Sequence, residues 1–286
     1  FLAAASLAPD GHARVRHPLR LVLKRYRRLA LPLVVAVLLT VLVAALVRPW
    51  LAHDSVPDAP TLWQLLAHLF LLQDLVGEEA LSAGIWYVAI DLQLFAMTVA
   101  LLALVRGPRH RWLVLALALA SLLVFNRESE LDVSGLYFFG AYALGMLAWW
   151  GARSKQPLHW LLLITVLAAA ALLLEFRGRL LVAALVAGCL VWLQRSPWAA
   201  RWLVQDWMAW WGRVSYSVFL IHFAVCLLVT ALVSNWWPDE LAANALGMVA
   251  AFGLSVLAGA AMYRWVEAPD ARWRTLVGPL VGRVAA

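Results

Sequence analysis

The chain has 286 residues, 65% of them hydrophobic and only 14% charged, with a formal net charge of +7 and a mean hydropathy of +0.83. A soluble globular domain carries nearer a quarter of charged residues, so this composition excludes one and points to an integral membrane protein. The pI near 10.0 is no sign of nucleic-acid binding, because the arginines fall in short clusters between apolar runs, the pattern of membrane orientation.

Residues 1–28 form a basic segment that ends in Lys24-Arg25-Tyr26-Arg27-Arg28 and runs directly into Leu29. A cluster of this kind beside a bilayer serves as a topology signal, a lipid headgroup contact or a site for a phosphorylated substrate; the first is the commonest. Eight apolar runs follow, at about 29–47, 85–105, 111–126, 135–150, 159–174, 179–193, 214–233 and 243–264. The third, fifth and sixth sit at the lower limit of the roughly 17–25 residues needed to cross a bilayer. Backbone groups in lipid must be satisfied within their own segment, so every span is expected to be helical. The 48–84 loop contains Leu62–Leu75, too short and too polar to span, which reads as an interfacial or re-entrant helix. The expected fold is therefore an all-α integral membrane protein with about eight transmembrane helices and an interfacial helix in the 48–84 loop. Residues 29–269 form one membrane domain and residues 270–286 a tail.

Placing residues 8–28 in the cytoplasm and alternating sides leaves only Arg48, Arg127, Arg177 and Arg179 of the 23 Lys and Arg on the far side. Far-side loops collect Asp54, Asp58, Asp74, Glu78, Glu79, Glu128, Glu130, Asp132, Asp239 and Glu240 instead. This bias predicts a cytoplasmic basic segment and a cytoplasmic C-terminus. The 17 Trp lie mostly near span ends, among them Trp50, Trp63, Trp86, Trp112, Trp149, Trp150, Trp160, Trp236 and Trp237, as interfacial belts require. Cys189 and Cys226 both fall inside apolar runs, so no disulfide and no metal site is expected. The chain begins at Phe1 without a Met, and an upstream segment is expected.

Asp91 is the one acid within a span, a position where a carboxylate is expensive and by default functional unless hydrated near the surface. At about 100° per residue, Tyr87, Asp91 and Phe95 share one face, and Trp86 and Gln93 another. Ser215, His222 and Cys226 also share a face, but Ser215 and His222 stand about 10 Å apart along the axis, too far for direct proton transfer. A hydrogen-bonded packing role suits His222 better. Arg264 and Glu267 are i,i+3 neighbours placed to pair, and Pro269 ends the last helix. His68 reads as a solvated or packed side chain.

Four motifs then line up in order. Arg25-x-x-Arg28-Leu29 is followed by Pro32, and Trp86 to Phe95 carries Asp91 and Gln93. Gly212 to His222 carries Ser215 and Tyr216, and Tyr263 to Pro269 carries Glu267. Together they resemble the acyltransferase-3 family of bacterial multi-pass membrane acyltransferases, with Asp91 standing for a Glu, and Phe95 and Phe219 each for a Tyr. The resemblance implies a ten-helix bundle of which this chain holds about eight, and a general-base histidine near the first span that no residue here matches. A chain complete as it stands would then be inactive, and its catalytic residue is unknown.

The resemblance further implies transfer of an acyl group, often acetyl, from cytoplasmic acyl-CoA to a hydroxyl of a carbohydrate or lipid-linked acceptor of the cell envelope, in the bacterial inner membrane. Acyl-CoA would be a substrate, with no bound cofactor and no metal. Arg25 and Arg28 would hold its phosphates, while Trp86, Asp91, Gln93, Ser215, Tyr216, His222 and Glu267 are motif positions of the possible active site. The expected partners are the bilayer, acyl-CoA and the acceptor, not nucleic acid. A different reading makes the chain a transporter or exporter with Asp91 as its proton or ion site.

Overall fold

A computed structural model describes residues 1–51, 53–104, 110–199 and 205–268. The helices are α1 (Leu2–Leu7), α2 (Pro18–Val47), α3 (Leu62–Leu69), α4 (Ile85–Leu104), α5 (His110–Leu123), α6 (Gly135–Arg153), α7 (Pro157–Leu174), α8 (Gly178–Arg195), α9 (Asp206–Trp236) and α10 (Leu241–Met262), the last running into a π-helical turn at Tyr263–Glu267. No strand occurs among the described residues. The protein is an all-α, multi-pass membrane protein, as the composition requires.

Among the described residues seven segments are long and apolar enough to cross a bilayer: α2, α4, α5 extended to Arg127, α7, α8, α9, and α10 with its π turn. The expected count was eight. The run at 135–150 does fold as a helix, α6, but its glycines, tyrosines and tryptophans dilute its apolar character, and it is not among the seven. Its surface is instead spent on protein: 12 of its residues are buried. The basic segment also differs from a simple flank, since α2 starts at Pro18 and carries Lys24–Arg28 on a continuous helix. Pro269, the 270–286 tail, and Arg106, Arg109, Arg201, Arg272, Arg274 and Arg283 of the charge count lie outside the described residues.

The chain divides into two compact units. One comprises Phe1–Arg25 with Ala89–Gln205, the other Tyr26–Val88 with Asp206–Ala286. In the first unit α6 is the centre, packed by α1, α5, α7 and α8. Two glycines allow the close approach: a Cβ at Gly140 would sit 2.5 Å from Leu122 Cγ, and one at Gly151 would sit 2.7 Å from Trp160 Cβ. Small residues at helix crossings let backbones approach where lipid provides no hydrophobic drive between helices. Ser121 Oγ ties α5 to α6 by donating to the Leu136 carbonyl at 2.7 Å and accepting from Gly140 N–H at 2.8 Å. Trp150, expected in an interfacial belt, is buried and its indole N–H donates to the Ala8 carbonyl at 2.9 Å. Trp50, Trp63, Trp112 and Trp236 are exposed, as a belt demands.

In the second unit α9 and α10 pack along their lengths. The contact depends on Gly259, where a Cβ would fall 2.3 Å from Val218 Cγ2 and 2.6 Å from Val218 Cα. The loop helix α3 is shorter than the expected 62–75. Thr61 caps its start, accepting from Gln64 N–H at 3.0 Å. It stops at Leu69 because Leu71 takes a left-handed conformation, φ 59°. The Leu71 N–H then bonds the His68 carbonyl and the Leu72 N–H the Ala67 carbonyl, the Schellman arrangement with leucine in the usual glycine position. Leu71 is buried, which holds it there against the roughly 1–2 kcal/mol penalty of that conformation. Tyr26 Oη donates to the Leu69 carbonyl at 2.8 Å, pinning α3 to α2.

His68 is a packed side chain, buried in this loop. Leu81 N–H donates to its Nε2 at 3.0 Å, so Nε2 is the unprotonated nitrogen and Nδ1–H donates to the Gln64 carbonyl at 2.7 Å. Burial lowers its pKa below the ordinary 6.5, outweighing the Gln64 carbonyl and the nearby Asp74 and Glu78, which pull it up. A depressed histidine pKa means that the unfolded loop takes up the proton first. The stability due to neutral His68 is present above pH 6.5 and is lost as pH falls through the lower folded-state value.

Two outcomes are expected. Gly259→Ala lowers the melting temperature of the detergent-solubilised protein through about 1–3 kcal/mol of overpacking, whereas Gly253→Ala, with nothing within 4 Å of its Cβ position, is neutral or stabilising. Limited proteolysis within residues 70–84 accelerates between pH 7.5 and pH 5, and His68→Gln flattens that dependence; an unchanged pH profile in the variant would remove His68 from the account.

Candidate functional site

The motif residues gather into two clusters, one in each unit. In the first unit α2 brings Arg25 to α4, where Nη2 donates to Asp91 Oδ1 at 2.8 Å and Oδ2 at 2.7 Å, and Nε donates to Oδ2 at 3.1 Å. The guanidinium also lies 5.1 Å from the centroid of the Phe95 ring. Asp91 and Phe95 share a face of α4, as their spacing predicts, and that face receives the arginine. The side chains are 35% and 22% exposed, so the pair is partly shielded from water and stronger than a surface pair. Sequence reasoning singled out Arg25 and Asp91 separately; nothing in the sequence joins two residues 66 positions apart.

Gln93 lies on another face of the same helix. Its Oε1 accepts from Gly135 N–H at 2.7 Å, satisfying one of the amides that the start of α6 leaves without an intrahelical partner. Trp86 stands at the beginning of α4, edge-on to Tyr87 with centroids 6.1 Å apart.

In the second unit the start of α9 is the organising element. Tyr216 Oη donates to the Leu29 carbonyl of α2 at 2.9 Å. Pro32, inside α2, has no N–H, so the carbonyl of Arg28 lacks its usual helical donor, and Tyr216 anchors the helix one residue beyond that break. Ser217 is fully buried, and its Oγ donates to Glu267 Oε2 at 2.9 Å. Phe219 packs edge-on to Tyr87 at 5.9 Å and fills the space beside Gly84, whose φ is +82° and where a Cβ would lie 2.8 Å from the Phe219 ring. Only glycine meets both demands there.

One expectation is corrected here. The predicted Arg264–Glu267 ion pair does not form; among the described residues Arg264 has no ion pair. The i,i+3 stacking of an α-helix does not hold through the π-helical turn at Tyr263–Glu267, which presents Glu267 to α9 instead. Such turns recur at functional sites. The serine that meets Glu267 is Ser217, two residues after the motif serine; Ser215 is exposed and bonds back to the Gly212 carbonyl of its own helix at 3.3 Å. Ser217 is buried on the face of α9 that meets the π-helical turn, and nothing in the sequence ranks it above Ser215. His222 Nδ1–H donates to the Phe219 carbonyl at 2.6 Å, a local hydrogen bond of the kind expected from its spacing.

Lys24, Arg27 and Arg28 are exposed and form no ion pair among the described residues. Arg25 is therefore a held cation and Arg28 an available one. No group of His, Cys, Asp and Glu able to hold a metal ion occurs among the described residues.

Arg25→Ala and Asp91→Ala are expected to destabilise the protein non-additively, with a coupling of about 0.5–3 kcal/mol in a double-mutant cycle read by denaturation in detergent. Additive effects would dissolve the pair.

No curated protein and no solved structure matches the chain. The acyltransferase-3 family profile, described as an acyltransferase domain, matches residues 14–264. That range takes in Arg25, Arg28, Asp91, Tyr216 and His222 and stops three residues short of Glu267. The chain belongs to the acyltransferase-3 family and is, in its broad class, a membrane acyltransferase.

Proposed function

We propose that the protein is an O-acyltransferase of the bacterial inner membrane, with residues 1–28 and the C-terminus in the cytoplasm. It takes an acyl group, in the simplest case acetyl, from cytoplasmic acyl-CoA and passes it to a hydroxyl of a carbohydrate or other cell-envelope acceptor. The observation that carries this reading is the family match over most of the chain together with exposed, unpaired Arg28 one helical turn from Arg25. CoA is polyanionic, and a guanidinium fork suits its phosphates better than an ammonium does. In the reaction the acceptor oxygen attacks the thioester carbonyl, a C–O bond forms, the C–S bond breaks, and the hydroxyl proton leaves with CoA as the thiol. That chemistry needs a base for the hydroxyl and donors for the oxyanion; no residue of this chain is assigned as the base.

In this reading the two arginines divide the work. Asp91 holds Arg25 in place with both carboxylate oxygens, which leaves the far edge of its guanidinium for ligand, and Arg28 supplies a second, unencumbered fork. The transport reading rests on Asp91 alone, and that carboxylate is engaged by Arg25.

In the full-length protein, Arg28→Ala is expected to raise the KM for acyl-CoA about 10- to 100-fold, the loss of one charge-assisted contact of roughly 1.5–3 kcal/mol, with membrane insertion unchanged. Radiolabelled acetyl transfer in inverted membrane vesicles measures it. Normal transfer in both Arg28→Ala and Arg25→Ala would sink the donor-site assignment, and proton-coupled uptake lost in Asp91→Asn would replace it with transport.

A further inference from the structure

The helix pair α9–α10 encloses a groove of about 580 Å³ whose lining includes His222, Cys226, Thr230, Ser234, Asn244 and Ser255. The volume falls within the range of about 300–1,000 Å³ typical of small-molecule sites. Four of these residues recur at intervals of four along α9, so they form one polar stripe rising about 18 Å from His222 to Ser234. The stripe belongs to a helix otherwise apolar enough to span a membrane, where polar side chains without a structural partner are costly.

The usual explanation for such a stripe is hydrogen bonding across to the neighbouring helix, and the structure does not use it that way. Ser255, on α10, is 4% exposed, and its Oγ is buried without a hydrogen-bond partner. Thr230 and Ser234 form no hydrogen bond among the described residues. His222 spends Nδ1–H on the Phe219 carbonyl, and its Nε2 has no hydrogen-bond partner among the described residues. The groove therefore holds hydroxyl and imidazole groups with unused capacity and the Asn244 amide, whose Nδ2 donates to the Glu240 carbonyl at 3.1 Å, set among apolar surface at Val218, Val229, Val233, Met248 and Phe252.

Among the described residues its lining contains no Asp, Glu, Lys or Arg. An anion such as CoA would find no counter-charge there, and a cation no carboxylate. Groups that both donate and accept, set in uncharged walls, match an uncharged ligand rich in hydroxyls with an apolar portion.

We propose that this groove binds the acyl acceptor, and that the acceptor presents an uncharged, polyhydroxylated group such as a neutral glycoside. This rests on the acyltransferase reading for the word acceptor; the binding chemistry stands on the groove alone. Ser255 and the stripe from His222 to Ser234 are then binding residues for hydroxyls.

Cys226 lines the groove and serves as its reporter, while exposed Cys189 on α8 in the other unit serves as an internal control. The protein in lipid nanodiscs is alkylated with N-ethylmaleimide, with or without octyl-β-D-glucoside below its micellar concentration, and the two sites are quantified by mass spectrometry. Octyl glucoside is expected to slow alkylation of Cys226 at least about fivefold and to leave Cys189 unchanged. Octyl phosphate and n-octanol are expected to protect several-fold less. The paired substitution Thr230→Val with Ser234→Ala, which preserves apolar packing, abolishes the protection, and Ser255→Ala weakens it. Absent protection, or equal protection by n-octanol or octyl phosphate, overturns the proposal. Acetyl transfer without Cys226 protection rejects the groove and spares the enzyme; protection without any transfer keeps the groove as a glycoside site and rejects the acyltransferase reading.

Discussion

Lipid offers no hydrogen bonds, and a chain built of apolar helices must therefore settle each polar group within the protein. Most of the tertiary structure can be read as a set of such settlements. Ser121 uses its hydroxyl as donor and acceptor at once to join α5 and α6. Gln93 closes an open amide at the start of α6. Arg25 meets Asp91 with two nitrogens, because either charge alone on a membrane helix would be far more expensive than the pair. Glycines complete the pattern by letting the helices come near enough for short side chains to reach, as Gly140 does against Leu122 and Gly259 against Val218.

The family's motifs take on a mechanical meaning in this light. Their polar anchors are largely cross-links between helices remote in sequence: Arg25 to Asp91, Tyr216 to the Leu29 carbonyl, Ser217 to Glu267. Pro32 and the π-helical turn at Tyr263–Glu267 interrupt the regular α-helical hydrogen bonding of α2 and α10, and each lies at or beside one of these cross-links. Irregular backbone is costly in a membrane, so its placement beside motif side chains marks positions that function has shaped. Arg28, like Lys24 and Arg27, is exposed and takes part in no ion pair among the described residues.

Periodicity and length were legible because lipid enforces them residue by residue. The spans around 85–105, 159–174, 179–193 and 243–264 coincide closely with α4, α7, α8 and α10. The faces of α4 were equally legible, since a 100° rotation per residue puts Asp91 and Phe95 together whatever surrounds them. Burial was not. The run at 135–150 looked like any other span, yet α6 became the centre of its unit. Trp150 looked like a belt residue and is buried with its indole bonded to the Ala8 carbonyl. Hydropathy reports how well a segment tolerates an apolar environment and carries no information on whether that environment is lipid or protein.

Taken alone, then, the sequence determined that the chain is helical, that it crosses a membrane several times, and which family it belongs to, because each of these depends on local composition or on short ordered motifs. Partner choice was decided only in three dimensions. Whether Glu267 meets Arg264 or Ser217 depends on the pitch of one turn; whether Arg25 is free or held depends on a helix 66 residues away; whether a polar stripe on α9 is glue or groove depends on the spacing to α10. These are distances between segments, and a linear pattern sets the periods of the segments without setting the gaps between them.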